Sequence, residues 1–133
     1  MCGRHSSIME KVAEWLERAD KDVEAAKLLQ KEIPEYSAYH SQQAVEKYLK
    51  AFLVYKNIDF PKTHNIFYLI DICKKADTDF EYLLEIKSQI LTKYAYTRYP
   101  GIVPVSREDA KKAIKIAEKV REFVLNKLGR YNY

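Results

Sequence analysis

Long stretches of this chain contain neither glycine nor proline, and within them apolar residues recur at steps of three and four. That spacing matches a helix of about 3.6 residues per turn and gives no alternation of the kind a half-buried strand requires. From Ile8 onward, Val12, Trp15, Leu16, Ala19, Val23 and Ala26 continue a single stripe, while Glu14, Arg18, Asp20 and Asp22 lie mostly off it. With three glycines and four prolines in 133 residues, the chain has few places to turn, so a small number of long helices is expected.

The breakers set the helix limits. Pro34 ends a first helix near Lys31 and opens a second over about Glu35 to Lys56, because proline is tolerated in a first turn but not in a helix interior. Pro61 blocks helical continuation through Asn57 to Lys62. Thr63 or Asn65 can cap a short third helix that carries Ile66, Leu69, Ile70 and Cys73 and stops near Ala76. Asp77-Thr78-Asp79 offers the N-cap of a fourth helix, from about Phe80 to Arg98, whose packing face drifts at Lys87. Pro100, Gly101 and Pro104 then make an ordered loop. Ser106-x-x-Asp109 resembles a capping box and opens a last helix to about Leu128, ended by Gly129. The expected fold is all-α: an antiparallel up-and-down bundle of four long helices plus one short helix. A single domain spans residues 8–133, behind a flexible leader at residues 1–7.

Size and charge narrow the function classes. At this length one core forms without disulfide or metal staples, and Cys2 and Cys73 are too few and too scattered for either. Cys73 is read as buried, and neither a metal nor a cofactor is expected. No apolar run approaches the roughly 18 to 20 residues that span a bilayer, and no secretory signal opens the chain, so a soluble, cytoplasmic protein without membrane contact is expected. A formal charge of +4 permits contact with phosphates. It falls short of the charge density of a dedicated duplex binder, whose affinity comes from neutralising many phosphates.

The stretch Tyr39 to Lys50 holds the densest set of groups able to contact a phosphate or a base. On a helix, His40, Gln43, Lys47 and Lys50 fall on one flank, with Ser41, Val45, Tyr48, Leu49 and Phe52 roughly opposite. Lys47 and Lys50 can each set an ammonium beside a phosphate, and Gln43 offers a donor and an acceptor to a base or sugar. A plain polar face, with Glu46 pairing Lys50 at i,i+4, accounts for the same spacing. His40 can act as acid, base or phosphate contact, or sit half-exposed with no such task. His64, between Thr63 and Asn65 at a helix start, is read as locking its loop.

The run Gln43-Ala44-Val45-Glu46-Lys47-x-Leu49-Lys50-Ala51, followed by Lys62-Thr63-His64-Asn65 and then Arg98-Tyr99-Pro100-Gly101, resembles the signature of the small prokaryotic HEPN domains. The resemblance covers about residues 8 to 128. It implies a helical bundle, usually dimeric, that binds nucleotides or nucleic acid and is often encoded beside a minimal nucleotidyltransferase (MNT) in a toxin–antitoxin-like pair. Arg98 lies in the third motif, which favours a guanidinium forking onto phosphate over one that only complements a helix dipole. Pro100 then closes one end of a groove. Of the eleven tyrosines, most are read as interface and core, and Tyr99 as a ligand contact.

The resemblance departs at one point. Ribonuclease members carry an arginine followed, after four to six residues, by a histidine. The arginines here are Arg4, Arg18, Arg98, Arg107, Arg121 and Arg130 and the histidines are His5, His40 and His64, and no pair has that spacing. The nuclease activity therefore does not carry over, and no catalytic residue is assigned. The expectation is a homodimeric nucleotide- or RNA-binding module working with an MNT partner. Its ligand contacts are His40, Gln43, Lys47, Lys50, Arg98 and Tyr99, and its loop is structured by His64 and Pro100. The alternatives are a pure protein-interaction module without ligand and a metal-independent ribonuclease with a rearranged site.

Overall fold

A computed structural model describes residues 2–86 and 104–129, with side chains from Ser7 onward. The fold is all-α. Helix α1 (Cys2–Leu29) is followed by α2 (Pro34–Tyr55), α3 (Ile66–Ala76), a 3₁₀ helix at Thr78–Leu83 and α4 (Arg107–Lys127). The expected fourth long helix falls mostly on residues 87–98, outside the described residues.

Three of the boundaries have clear local causes. Pro34 occupies the first position of α2, where its missing N–H costs nothing, and Ile33 before it supplies no side-chain cap. At the other end Asn57 takes a left-handed φ of 57°. Its N–H donates to the Val54 carbonyl at 2.9 Å, and Ile58 N–H donates to Leu53 at 2.9 Å. That pair of bonds is the Schellman arrangement, with asparagine in the place glycine usually takes. The stop is therefore made four residues before Pro61. At α4, Ser106 Oγ accepts from Asp109 N–H at 3.0 Å while Asp109 Oδ2 accepts from Ser106 N–H at 3.1 Å, which is the expected capping box.

Two elements differ from the sequence reading. Helix α1 begins at Cys2 and so includes residues 2–7, which were expected as a flexible leader. Once a helix is nucleated, each added residue gains one hydrogen bond, so a polar start without proline can extend it. Asp77 does cap the next element, accepting from Asp79 N–H at 3.0 Å, but that element is 3₁₀ as far as Leu83, with α conformation only at the described residues 84–86. Phe80 and Leu83, three residues apart, are both buried. A turn of three residues stacks them on one face.

Helices α1 and α2 form an antiparallel hairpin. Ser37 Oγ donates to the Ala26 carbonyl at 2.6 Å near the turn, and farther along Lys50 reaches Trp15. Helix α4 also runs antiparallel to α1, with Arg107 Nε donating to Lys31 O at 2.9 Å at one end and Arg121 Nε donating to Asp20 Oδ1 at 3.0 Å farther on. This makes α2 the central helix. Ala38, Ala44, Val45, Tyr48, Leu49, Ala51, Phe52 and Leu53 are all within 2% of full burial, and they point in several directions around its axis.

Phe52 packs on Phe80 with ring centroids 4.4 Å apart, and Phe80 meets Phe123 of α4 edge-on at 5.0 Å. Cys73 lies in the same core, its Sγ 3.9 Å from the Leu49 carbonyl. Burial pushes its thiol up to about 12, so the thiolate is scarce at neutral pH. Lys127 at the end of α4 ties the 3₁₀ helix down through Asp77 at 2.9 Å and through Asp79.

Phe52→Ala removes a fully enclosed ring and should cost about 3–5 kcal/mol in urea unfolding; a loss near zero would show the aromatic stack is not packed as described. The Lys127 hydrogen bond, and after it the Asp79 backbone N–H, hold the Asp77 carboxyl below its ordinary range. A depressed folded value means this contribution is present above the unfolded value near 4 and is lost as pH falls through the folded one. Lys127→Met should therefore show a smaller drop in melting temperature than wild type between pH 5 and pH 3; an equal drop would contradict the assignment.

Candidate nucleic-acid interface

Among the described residues, the enclosure of α2 leaves an open flank toward its N-terminal half. Tyr36, His40, Gln43 and Lys47 succeed one another there at steps of four, three and four, with Tyr39 beside them. Tyr36 is 59% exposed and Tyr39 39%. The Tyr39 and His40 rings meet edge to face, centroids 5.5 Å apart. Gln43 is half-buried.

Asp22 of α1, which the sequence reading placed only as a residue off the apolar stripe, organises this strip. Its Oδ1 lies 2.9 Å from His40 Nδ1, and its Oδ2 accepts from Lys47 Nζ at 2.5 Å. The Asp22 side chain is 12% exposed, against 33% for His40 and 26% for Lys47. A signal for it was present in the sequence. In an antiparallel hairpin, residues about equally far from the turn face each other, and Asp22 and His40 are nearly so placed about residues 30–33.

Lys50 does not reach this strip. It is 8% exposed, and its ammonium sits over the Trp15 ring at 5.5 Å and the Phe60 ring at 5.8 Å. The two rings pack edge to face at 6.4 Å. Cation–π attraction and a buried methylene stem account for the position. Nor does Lys50 pair with Glu46, whose carboxylate is buried and meets His64 Nδ1 at 3.2 Å through Oε2. The other Glu46 oxygen is enclosed without a partner.

His64 itself is mostly exposed. The backbone capping expected around it is supplied by its neighbours: Asn65 Oδ1 accepts from Phe67 and Tyr68 N–H, and Thr63 Oγ1 accepts from Asn65 N–H. His64 instead bridges the loop to α2. Arg98, Tyr99 and Pro100 lie outside the described residues.

A concavity lies between α1, α2 and α4. There Asp20 Oδ1 accepts from Tyr48 Oη and from Arg121 Nε at the edge of a cavity of about 320 Å³. Its rim carries Glu24, Glu118 and Glu122 against Lys27. This acidic surround disfavours a phosphate. No group of three or more His, Cys, Asp or Glu among the described residues is disposed to hold a metal ion. No described helix is long and apolar enough to cross a membrane.

Comparison with known proteins adds three findings. A family model for the HEPN domain matches residues 12–128. A protein of Methanocaldococcus jannaschii named "Putative toxin MJ1304" is 32% identical over 130 residues, with 83% of each chain covered. The crystal structure of ST0689, an archaeal HEPN homologue, superposes with a TM-score of 0.68 at 23% identity, covering 87% of this chain and 96% of that one. At that identity the last match speaks to the fold alone.

Because the Lys47 ammonium meets the Asp22 carboxylate directly, Asp22→Ala and Lys47→Ala should be non-additive. A double-mutant cycle on unfolding free energy should give a coupling of about 0.5–3 kcal/mol. Simple additivity would mean that the ion pair makes no net contribution.

Proposed function

This chain belongs to the HEPN domain family, and from that premise we propose that it is a nucleotide- or RNA-binding member acting as a homodimer beside a minimal nucleotidyltransferase, in a toxin–antitoxin-type pair. The name of the Methanocaldococcus jannaschii relative supports the toxin setting. The observation that carries the binding role is the open flank of an otherwise enclosed helix. It presents the exposed rings of Tyr36 and Tyr39 beside His40, Gln43 and Lys47. Aromatic faces next to nitrogen donors suit single-stranded nucleic acid or a nucleotide, whose bases stack while their edges and sugars take hydrogen bonds. Lys50, held between two rings, supports the packing of this helix and is not a direct contact in this reading. Arg98 and Tyr99, from the third family motif, complete the proposed ligand set.

A second reading has its own support. Leu28, Tyr68 and Tyr82 are 76%, 45% and 49% exposed, and apolar or aromatic side chains left in water suit contact with another protein. In that reading the chain is an interaction module that holds its partner without a small ligand.

Calorimetric titration of nucleic-acid-free protein with ATP, GTP and a short single-stranded RNA separates the two. The nucleotide reading expects saturable binding, weakened about tenfold or more by Tyr39→Ala, by Gln43→Ala and by Arg98→Ala, with helical content unchanged by circular dichroism. Heat of binding absent for all three probes would leave the interaction module.

A further inference from the structure

The strip on α2 reads as cationic from the sequence, yet the structure supplies its counter-charge. Asp22 Oδ2 accepts from the Lys47 ammonium, and Oδ1 of the same carboxylate meets His40 Nδ1. An ionised carboxylate only accepts, so Nδ1 must carry the proton in both the neutral and the charged imidazole. In the neutral ring the lone pair is then on Nε2. Lys47 and Asp22 together contribute no net charge, and the Gln43 amide beside them is neutral.

Resting on the nucleotide reading above, we propose that Asp22 is a positioning residue that cancels the Lys47 charge and fixes the neutral His40 ring with Nε2 as an acceptor, so that the strip reads the nucleoside portion of its ligand, base and ribose, and not the phosphate. Three features point the same way. Lys47 is committed to a carboxylate that is itself mostly shielded from water, so a phosphate competing for the ammonium would be repelled by Asp22 at close range. The Gln43 amide offers both a donor and an acceptor, which match the edge of a base. His40 Nε2 can accept from a base N–H or a ribose hydroxyl, and Tyr39 stands edge-on to that imidazole with its own ring 39% exposed, placed to stack on a base. Asp22 touches no ligand in this account; it acts through His40 and Lys47.

The test has two arms. In the first, long-range nitrogen NMR of the free protein, at a pH where imidazoles are neutral, reports the His40 tautomer. The Nδ1–H form is expected, and the Nε2–H form would overturn the positioning role whatever binds.

In the second arm, adenosine and AMP are titrated into wild type and Asp22→Asn. Wild type should bind the two within about twofold and change little between about 50 and 300 mM salt, whereas a direct phosphate contact would strengthen AMP binding and weaken as salt screens it. Asp22→Asn uncovers the Lys47 charge. It should favour AMP over adenosine severalfold and become salt-sensitive, which a purely structural role for Asp22 would not produce. Wild type preferring AMP tenfold, or an unchanged ratio in the folded variant, would overturn the proposal. Neither probe bound while ATP, GTP or RNA binds would overturn the proposal; all of them silent removes the nucleotide reading and the nucleoside face with it, and is told apart by the tautomer arm, which needs no ligand.

Discussion

The enclosure of α2 is the constraint on which the rest of the structure depends. A surface helix in a bundle buries one stripe and exposes the remainder. Here α1, α3 and α4 pack around α2, together with Phe80 of the 3₁₀ helix and the loop ahead of α3. Burial runs from Ser37 to Leu53 and takes in Glu46 and Lys50. Charged residues caught in that enclosure must be matched locally, because burying an unpaired charge is expensive. Each is matched differently: Glu46 through His64, and Lys50 through the Trp15 and Phe60 rings. Lys47 escapes full burial and is matched by Asp22. What remains open is narrow, and that narrowness is what makes the flank from Tyr36 to Lys47 a defined surface.

The same enclosure explains which parts of the molecule were legible in the sequence. Helix limits set by local chemistry were readable: Pro34 at the start of α2, the box of Ser106 and Asp109, the asparagine cap at Asn65 and the final Gly129 all act over a few residues. The buried stripes of α1 and α4 were equally plain, since each follows a single three-and-four pattern. The 3₁₀ helix was not readable, because Phe80 and Leu83 fit an α-helical stripe as well as a three-residue turn. Tertiary packing chose between them.

The candidate site was legible only in part, for a physical reason. A helical projection of α2 alone groups His40, Gln43, Lys47 and Lys50, but it carries no information about what faces them. Lys50 is drawn off by two aromatic residues outside the helix, Trp15 of α1 and Phe60 of the loop that follows α2. Asp22 arrives from α1 through the hairpin, and its effect on the charge of the strip is invisible without that pairing. The first family motif lies on α2, and the structure separates its Lys47, held at the surface, from Lys50, held in the core. As the chain belongs to the HEPN family, that separation bears on how its lysine-containing motif is to be understood in this protein.

The central claim is that the open flank of α2 is where this protein meets its ligand. Amide chemical-shift mapping with a short single-stranded RNA tests it most directly. The account predicts perturbations concentrated at residues 36–47 and at Asp22, with the acidic cavity around Asp20, Glu118 and Arg121 unchanged. Perturbations centred on that cavity, or none at saturating RNA, would contradict it.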